Sequence, residues 1–198
     1  MEASQQTTHY KFLISKRKSD LSERLALILN PPRTFVWEVG CGHGHFMTAF
    51  AEAYPKKLCI GVDMESKRIE RALRKRDRAG LSNLHFIHGD ARLFLEALPT
   101  GSTLAEIFVL FPDPWPKLRH RKHRILQPDF LSSVADRAAD NARLYFRTDF
   151  QPYFTDACAT IRQHSKWMIV DEPWPFEHET VFQNRAAGYQ SLVARRRP

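Results

Sequence analysis

The sequence predicts a doubly wound α/β fold, with helices on both faces of a mostly parallel sheet. Between residues 35 and 165, five short apolar runs alternate with longer amphipathic stretches. Alternation at this spacing indicates right-handed βαβ units. A chain of 198 residues, of which 43% are hydrophobic, has the usual length of one domain with a substantial core. We therefore expect a single domain over residues 1–198.

The strands and helices can be assigned in chain order. A helix over residues 11–29 comes first, within a basic N-terminal arm (residues 1–30), and Asn30-Pro31-Pro32 ends it because proline cannot continue a helix. Strands are predicted over residues 35–39, 58–62, 84–88, 104–110 and 144–147. Helices are predicted over residues 45–54, 66–79, 91–97, 128–140 and 152–164.

After residue 165 the alternation ends. Residues 167–170 and 189–194 have the pattern of two strands with no helix between them, joined by a loop rich in Pro, Glu and Phe. Such a pair is antiparallel, and it brings the predicted sheet to seven strands. By analogy, a Rossmann-like sheet that ends in an antiparallel C-terminal strand is the form taken by class I S-adenosylmethionine-dependent methyltransferases.

The charge of the chain indicates an anionic partner. Thirty Lys and Arg residues stand against 22 Asp and Glu residues, which gives a net charge of +8 and a pI near 9.6. Nucleic acid is the first candidate for such a partner and an anionic membrane surface the second. No apolar run approaches the roughly 20 residues that span a bilayer, and residues 1–10 lack the apolar stretch of a signal peptide. We therefore expect no membrane partner.

The cysteines indicate a reducing compartment. Cys41, Cys59 and Cys158 are odd in number, far apart and in no CxxC pair. This pattern disfavours a disulfide framework or a zinc ribbon and favours the cytoplasm. The histidine pairs His43/His45 and His120/His123 have no Cys or acid beside them to complete a tetrahedral set, so no metal site is predicted.

A glycine motif follows the first predicted strand and opens a helix. It reads GxGxG at Gly40, Gly42 and Gly44, with Glu38 before it, whereas a dinucleotide fingerprint would place a third glycine at His45. A carboxylate at this point disfavours a pyrophosphate and is compatible with a cationic methionine moiety. The motif therefore favours a methyl-donor site over a nicotinamide site. A purely structural glycine turn is the third interpretation.

Two more acids stand at strand ends. Asp63 ends the second strand, where a carboxylate can accept both hydroxyls of an adenosine ribose, and Glu65 is an alternative acid for that role. Asp90 follows the third strand, where it either meets the adenine amino edge or caps the helix over 91–97. Together they predict an S-adenosylmethionine site formed by Glu38, Gly40, Gly42, Gly44, Asp63 and Asp90.

A proline-rich loop follows the fourth predicted strand. Pro112, Pro114 and Pro116 exclude a helix or a central strand, so the loop is stiff, and it holds the carboxylate of Asp113 and the ring of Trp115. Ligands of open α/β sheets bind at the carboxyl ends of strands. A turn residue and a hydrophobic plug are the structural alternatives for Asp113 and Trp115. The basic run over 117–124 is predicted to contact phosphates.

Residues 112–124 resemble the signature of the bacterial tRNA (guanine-N7)-methyltransferase family, a PDPWPK loop that runs into a basic segment. The glycine motif, Asp63, Asp90 and Arg147-Thr148-Asp149 also fit, so the resemblance covers about 35–195. It implies methyl transfer from S-adenosylmethionine to N7 of a variable-loop guanine in tRNA. It also implies tRNA as the partner, no DNA, and a monomer or weak homodimer.

The resemblance implies roles for individual residues. Asp113 is expected to be catalytic and to lie near the donor, with Lys117 and Asp149 on the substrate. Thr180 and Gln183 match a TxFE element, in which Gln183 replaces the family's glutamate and offers one acceptor oxygen and a donor instead of a charged bidentate acceptor. Glu177 and Glu179 are alternative acceptors. Further substrate contacts are predicted at Trp115, Arg119, Arg121, Lys122 and Arg124.

Guanine N7 suits a site without a general base, because it carries a free lone pair and no proton. A fixed carboxylate such as Asp113 can orient the base and stabilise the positive charge that develops on its ring. Two other functions stay open: methylation of a small molecule, and RNA binding without turnover. The basic residues Lys67, Arg71, Arg74 and Arg78 share a helix face, for which a solvated surface is the favoured interpretation.

Overall fold

A computed structural model describes residues 2–178 and 188–198, with side chains described from residue 12 onward. Within that range, seven strands form one sheet in the order β3-β2-β1-β4-β5-β7-β6. The strands are β1 (Thr34–Val39), β2 (Cys59–Asp63), β3 (Leu84–His88), β4 (Thr103–Leu110), β5 (Ala138–Thr148), β6 (Trp167–Val170) and β7 (Gln190–Arg196). The helices are α1 (Glu2–Ile28), α2 (His45–Ala53), α3 (Ser66–Ala79), α4 (Ala91–Ala97), α5 (Pro128–Arg137) and α6 (Gln151–Gln163).

The strand directions confirm the predicted fold class. Strands β1 to β5 are parallel to one another, whereas β7 lies between β5 and β6 and is antiparallel to both. Strands β2 and β3 lie on one side of β1, and β4 and β5 lie on the other. Because these five strands are parallel, their carboxyl ends meet at one edge of the sheet. The acids and the glycine loop predicted to form the donor site lie at that edge.

The region between α5 and β5 differs from the prediction. The helix predicted over 128–140 ends at Arg137, and β5 begins at Ala138 and is longer than the four residues expected. The pairing of β4 with β5 shifts between Leu104 and Glu106, and Asn141 has a positive φ of 61°. Alanines at 138 and 139 favour helix locally, but pairing of Ala138 with Leu104 in the sheet prevails.

The core has two layers. On one face, α1, α4, α5 and α6 pack on the sheet, and Trp37 of β1 stacks on Phe94 of α4 with ring centroids 4.9 Å apart. On the other face, α2 and α3 pack on the sheet together with Trp174 and Phe176. Within the described part of the chain, no helix has the length and apolar composition that a bilayer crossing requires. The two layers hold the strand ends in fixed register.

Candidate active site

The glycine loop after β1 has two different kinds of glycine. Gly40, Gly42 and Gly44 all have positive φ, at 70°, 54° and 69°. A side chain at Gly40 or Gly42 would meet no atom within 4 Å, so a ligand can lie against the bare backbone there. A Cβ at Gly44 would lie 2.5 Å from the ring of Phe86, and the Gly44 amide donates to the Cys41 carbonyl oxygen over 2.9 Å. Gly44 therefore serves packing and the start of α2.

Glu38 is a buried acid beside this loop. Glu38 is the penultimate residue of β1 and is only 4% exposed, and burial together with nearby Asp63 raises its pKa to about 8. Its Oε2 has no hydrogen-bond partner among the described residues. A buried oxygen without a partner is costly unless a ligand supplies a donor. An ammonium group would supply both the donor and a positive charge, which fits the methionine end of the expected methyl donor.

Asp63 ties the glycine loop to the end of β2. Its Oδ2 accepts a hydrogen bond from the Gly42 amide at 2.9 Å, and its Oδ1 accepts from the Glu65 amide at 2.8 Å. A carboxylate has about four acceptor positions, so two remain for ribose hydroxyls. The alternative acid, Glu65, is the exposed N-cap residue of α3 and forms no capping hydrogen bond with its side chain.

Asp90 caps α4 at the end of β3. Its Oδ1 accepts from the amides of Arg92 and Leu93, at 2.8 and 3.0 Å. Oδ1 of Asp90 therefore caps the helix, as one of the two interpretations predicted, while Oδ2 has no hydrogen bond within the described residues. Asp90 is half-buried, so Oδ2 is placed to accept from a ligand at the same edge.

The proline loop after β4 lies next to the glycine loop. Val39 of β1 pairs with Val109 of β4, so the two loops leave the sheet side by side. Asp113 is exposed, and its carboxylate has no hydrogen bond within the part of the chain described. The loop holds two non-glycine residues in the left-handed region, Phe111 at φ 48° and Trp115 at φ 42°. Such conformations persist only where the surroundings hold them.

Trp115 is partly exposed. It is 37% exposed, and its ring meets His120 edge-on at 5.8 Å and His123 at 5.2 Å between centroids. This arrangement does not match a buried hydrophobic plug. It leaves part of the indole open at the edge of the sheet where Asp113 also lies, as a stacking platform for a base would require.

Arg124 corrects one prediction, because it is buried and does not face solvent. Its residue is 2% exposed, its Nε donates to the Pro114 carbonyl oxygen at 2.8 Å, and a terminal nitrogen lies 2.5 Å from the Asp156 carboxylate. Its guanidinium lies over the Tyr153 ring at 4.7 Å. The predicted phosphate contact is replaced by a positioning role, since Arg124 holds the backbone of the Asp113 loop.

The other basic side chains of this segment divide into two groups. Arg121 is half-buried and lies 3.4 Å from the same Asp156 carboxylate. Lys117, Arg119 and Lys122 are exposed and have no ion pair in the described residues; the last two lie on a 3₁₀ turn, Leu118–His123. These three cations are therefore the ones available to an anionic ligand.

Arg147 is a structural residue that the sequence pattern did not single out by itself. It is 4% exposed, stacks at 4.0 Å on Trp174, and its two terminal nitrogens bind the Glu177 carboxylate at 3.0 and 3.1 Å. The sequence did offer a signal for this role, because Arg147 is a cation that directly follows the apolar part of a strand. Each oxygen of Glu177 accepts one of these hydrogen bonds and its side chain is 60% exposed, so acceptor positions remain on this carboxylate as they do on Asp63. Asp149 is exposed at the end of β5, and Thr180 and Gln183 lie outside the described residues.

The strand ends bring most predicted residues to one edge. Asp63, Asp90, Asp113 and Asp149 follow or end β2, β3, β4 and β5, and the glycine loop follows β1. The described edge thus combines an open backbone loop, a buried acid lacking a donor and an exposed carboxylate on a rigid loop. Such an edge can bind a cationic nucleoside and hold a second planar group beside it.

Known proteins of similar sequence are methyltransferases. The Methyltransf_4 family model, which describes a methyltransferase family, matches residues 32–195. The tRNA (guanine-N(7)-)-methyltransferase of Leifsonia xyli subsp. xyli is 36% identical over 145 residues, which are 73% of this chain and 63% of that protein. The protein of the same name from Nitrosomonas europaea is 34% identical over 133 residues, 67% of this chain and 59% of that protein. The chain thus spans about three fifths of the length of these two relatives.

Several solved structures share the fold of this chain. The structure of TrmN from Thermus thermophilus aligns with a TM-score of 0.59 at 17% identity. The alignment covers 88% of this chain and 48% of the TrmN chain. An antibiotic related methyltransferase matches 88% of this chain and 92% of its own with a TM-score of 0.56 at 20% identity. At these identities the likeness shows the class I methyltransferase fold alone. Because the family model covers most of the sequence, the chain belongs to the Methyltransf_4 family of methyltransferases.

Proposed function

We propose that this chain transfers a methyl group from S-adenosylmethionine to N7 of a variable-loop guanine in tRNA. The observation that carries the proposal is the exposed Asp113 carboxylate, held on a rigid loop directly beside the open glycine loop. The names of the relatives and the resemblance of residues 112–124 support guanine N7 as the acceptor. A reaction on tRNA together with three free cysteines supports a cytoplasmic location.

The donor would be held by residues at three strand ends. Gly40 and Gly42 offer backbone to the nucleoside, Glu38 offers its unpartnered oxygen to the ammonium group, and Asp63 and Asp90 each retain carboxylate acceptor positions. When bound, S-adenosylmethionine supplies an electrophilic methyl group on a sulfonium. The residues of the chain would hold the donor and orient it toward the acceptor.

The acceptor would be held by the proline loop and its basic continuation. N7 has no proton to lose, so Asp113 acts on charge: it orients the base and stabilises the positive charge that the ring gains. Trp115 provides a ring face for the unstacked base. Lys117, Arg119 and Lys122 are exposed and have no ion pair in the described residues, and they would bind the flanking phosphates.

The test is transfer of labelled methyl to unmodified tRNA, followed by nucleoside analysis of the product. We expect 7-methylguanosine with wild-type protein and a loss of at least about 100-fold with Asp113→Asn, which keeps size and removes charge. The control is Asp136→Asn, an exposed acid on α5 away from this edge. A different methylated nucleoside, or full activity of Asp113→Asn, would contradict the proposal.

The same assay separates the two other functions that the sequence allowed. A small-molecule methyltransferase would bind the donor but leave tRNA unlabelled, and salt would barely alter its KM. An RNA-binding protein without turnover would bind tRNA and transfer nothing. Measuring donor binding, tRNA binding and transfer on one preparation therefore assigns the activity.

A further inference from the structure

Helix α3 is the most cationic element of the described chain, and the site described above makes no use of it. Its 14 residues contain seven cationic and only two acidic side chains. The helix thus carries an excess of five positive charges on a chain whose total is +8. The cationic residues are Lys67, Arg68, Arg71, Arg74, Lys75, Arg76 and Arg78.

Few of these charges are neutralised within the chain. Arg76 pairs with Asp77 at 2.5 Å, and Arg68 approaches the Asp63 carboxylate at 3.9 Å. The other acid of the helix, Glu70, is exposed and has no ion pair in the described residues. Four exposed cations, which likewise have no ion pair there, follow one another three or four residues apart: Lys67, Arg71, Arg74 and Arg78.

This spacing puts like charges next to one another on the helix surface. Each such pair costs an isolated helix about 0.2–0.5 kcal/mol, because neighbouring like charges repel. The side chains therefore do not stabilise α3 by pairing among themselves. An external polyanion would remove the repulsion by binding to them, and the released counterions would favour that binding.

The cations line a groove and do not simply cover a flat helix face. A cavity of about 640 Å³ lies between α3 and the start of α2. The Lys75 ammonium donates to the His43 carbonyl oxygen at 2.9 Å, and an Arg71 nitrogen lies 3.5 Å from the His43 ring. Burial and the nearby cations, Arg71 foremost, lower the pKa of His43. The residues that line the groove are His43, His45, Arg71, Arg74, Lys75, Asp77 and Arg78.

The groove adjoins the glycine loop. His43 lies between Gly42 and Gly44, so the groove begins one residue from the backbone assigned to the donor. In the sheet, β1 lies between β2, which leads into α3, and β4, which leads into the Asp113 loop. The donor loop is therefore flanked by two cationic surfaces, the 3₁₀ turn on one side and α3 on the other.

We propose that the exposed face of α3 formed by Lys67, Arg71, Arg74 and Arg78, named here the α3 cationic face, binds the sugar-phosphate backbone of the tRNA away from the target base. This inference rests on the proposed function for the identity of the RNA. The face has concavity, uncompensated charge and contact with the glycine loop. A folded RNA whose guanine reaches Asp113 extends beyond the edge of the sheet, and this face meets its phosphates on the β2 side.

The test compares two double variants that each remove two positive charges. Arg74→Gln with Arg78→Gln alters the α3 cationic face. Arg33→Gln with Lys56→Gln is the control, since both are exposed, lack an ion pair in the described residues and precede β1 and β2 at the opposite edge of the sheet. The dissociation constant of unmodified tRNA is measured by filter binding across a salt series. Donor binding is measured in parallel.

The α3 variant should bind tRNA roughly tenfold more weakly, and its log–log salt slope should fall by about 1.4–1.8, because each phosphate contact contributes about 0.7–0.9. The control variant should match wild-type protein, and both should bind the donor normally. Equal weakening in the two double variants would show that only overall charge matters and would overturn the proposal.

The binding readout separates this inference from the proposed function. If wild-type protein methylates guanine N7 and the α3 variant binds tRNA as the control does, the α3 face is wrong and the function stands. If no 7-methylguanosine forms but tRNA binding depends on Arg74 and Arg78, the α3 cationic face binds tRNA and the proposed function is wrong. Wild-type protein that does not bind tRNA overturns both. Loss of binding to phosphatidylserine vesicles without loss of tRNA affinity would assign the face to a membrane and overturn the proposal.

Discussion

At the scale of single residues, the donor-binding role proposed for Glu38 has a consequence for stability. Its pKa is raised from 4.5 to about 8, so between these values the folded protein keeps a proton that the unfolded chain has lost. The contribution of Glu38 to the free energy of unfolding is therefore full below about pH 4.5 and is lost as pH rises through about 8. The empty site should become less stable over this range.

Glu38→Gln should remove that part of the pH dependence, because the amide stays neutral at every pH. Without donor, we expect the variant to gain stability relative to wild-type protein between pH 5 and pH 8, by on the order of 1–4 kcal/mol. Urea unfolding at both pH values measures this difference. The same variant should bind S-adenosylmethionine more weakly, since it offers no charge to the ammonium group. Parallel pH profiles of the two proteins would refute the role of Glu38.

Arg124 should affect the rate of transfer and leave RNA affinity nearly unchanged. Arg124→Lys keeps the charge beside Asp156 but loses the fork that reaches the Pro114 carbonyl. We expect kcat to fall by up to about 100-fold with little change in the KM for tRNA, because the Asp113 loop is displaced from its productive position.

The matched control for Arg124→Lys is Arg119→Gln on the exposed side of the same segment. Arg119 is exposed and has no ion pair in the described residues, although its Nε donates to the His120 ring at 3.2 Å. If it contacts a phosphate, its loss should raise the KM and lower the salt slope with kcat nearly unchanged. Steady-state kinetics at two salt concentrations resolves both parameters. A raised KM and a reduced salt slope in Arg124→Lys would show that Arg124 leaves its buried position to bind RNA.

At the scale of elements, the glycine loop separates packing from binding. Gly44→Ala would place a methyl group 2.5 Å from the Phe86 ring at a φ of 69°, so we expect a loss of about 2–4 kcal/mol in the free energy of unfolding. Gly42→Ala meets open space in the empty protein and should cost only about 1 kcal/mol, from its positive φ.

For donor affinity we expect the opposite order, with the larger loss in Gly42→Ala. The methyl group of Gly42→Ala would enter the space proposed for the donor, so the dissociation constant of the donor should rise, whereas folded Gly44→Ala should bind the donor nearly normally. Chemical denaturation and calorimetric titration with S-adenosylhomocysteine measure the two properties on the same samples. If Gly42→Ala binds like wild-type protein, the donor does not lie over that loop.

At the scale of the whole molecule, the net charge of +8 should make the KM for tRNA depend on salt concentration. If Lys117, Arg119 and Lys122 each meet a phosphate, the KM for tRNA should rise roughly 10- to 100-fold between 50 and 200 mM salt. The dissociation constant of the donor should hardly change over that range, since a small zwitterion displaces few counterions. A KM independent of salt would favour a small-molecule substrate.

The architecture of the molecule could be predicted from local pattern. Strands β3 and β6 begin and end where the sequence pattern predicts. The end of α5 could not be predicted, because pairing of Ala138 with a strand more than 30 residues earlier overrides helix propensity. Acids at strand ends were visible because parallel strands bring their carboxyl ends together. The buried state of Arg124 was not, since it depends on Asp156 and Tyr153 in α6.

Trp115 also gives the protein an optical reporter of its own. Trp37 and Trp167 are fully buried and Trp174 is covered by Arg147, so Trp115 is the indole nearest to water among the four. Its emission should lie at longer wavelength than that of the other three, and a base stacked on it should quench that component. A red-edge fluorescence titration would follow the arrival of the guanine directly, without a label and before any methyl group has moved.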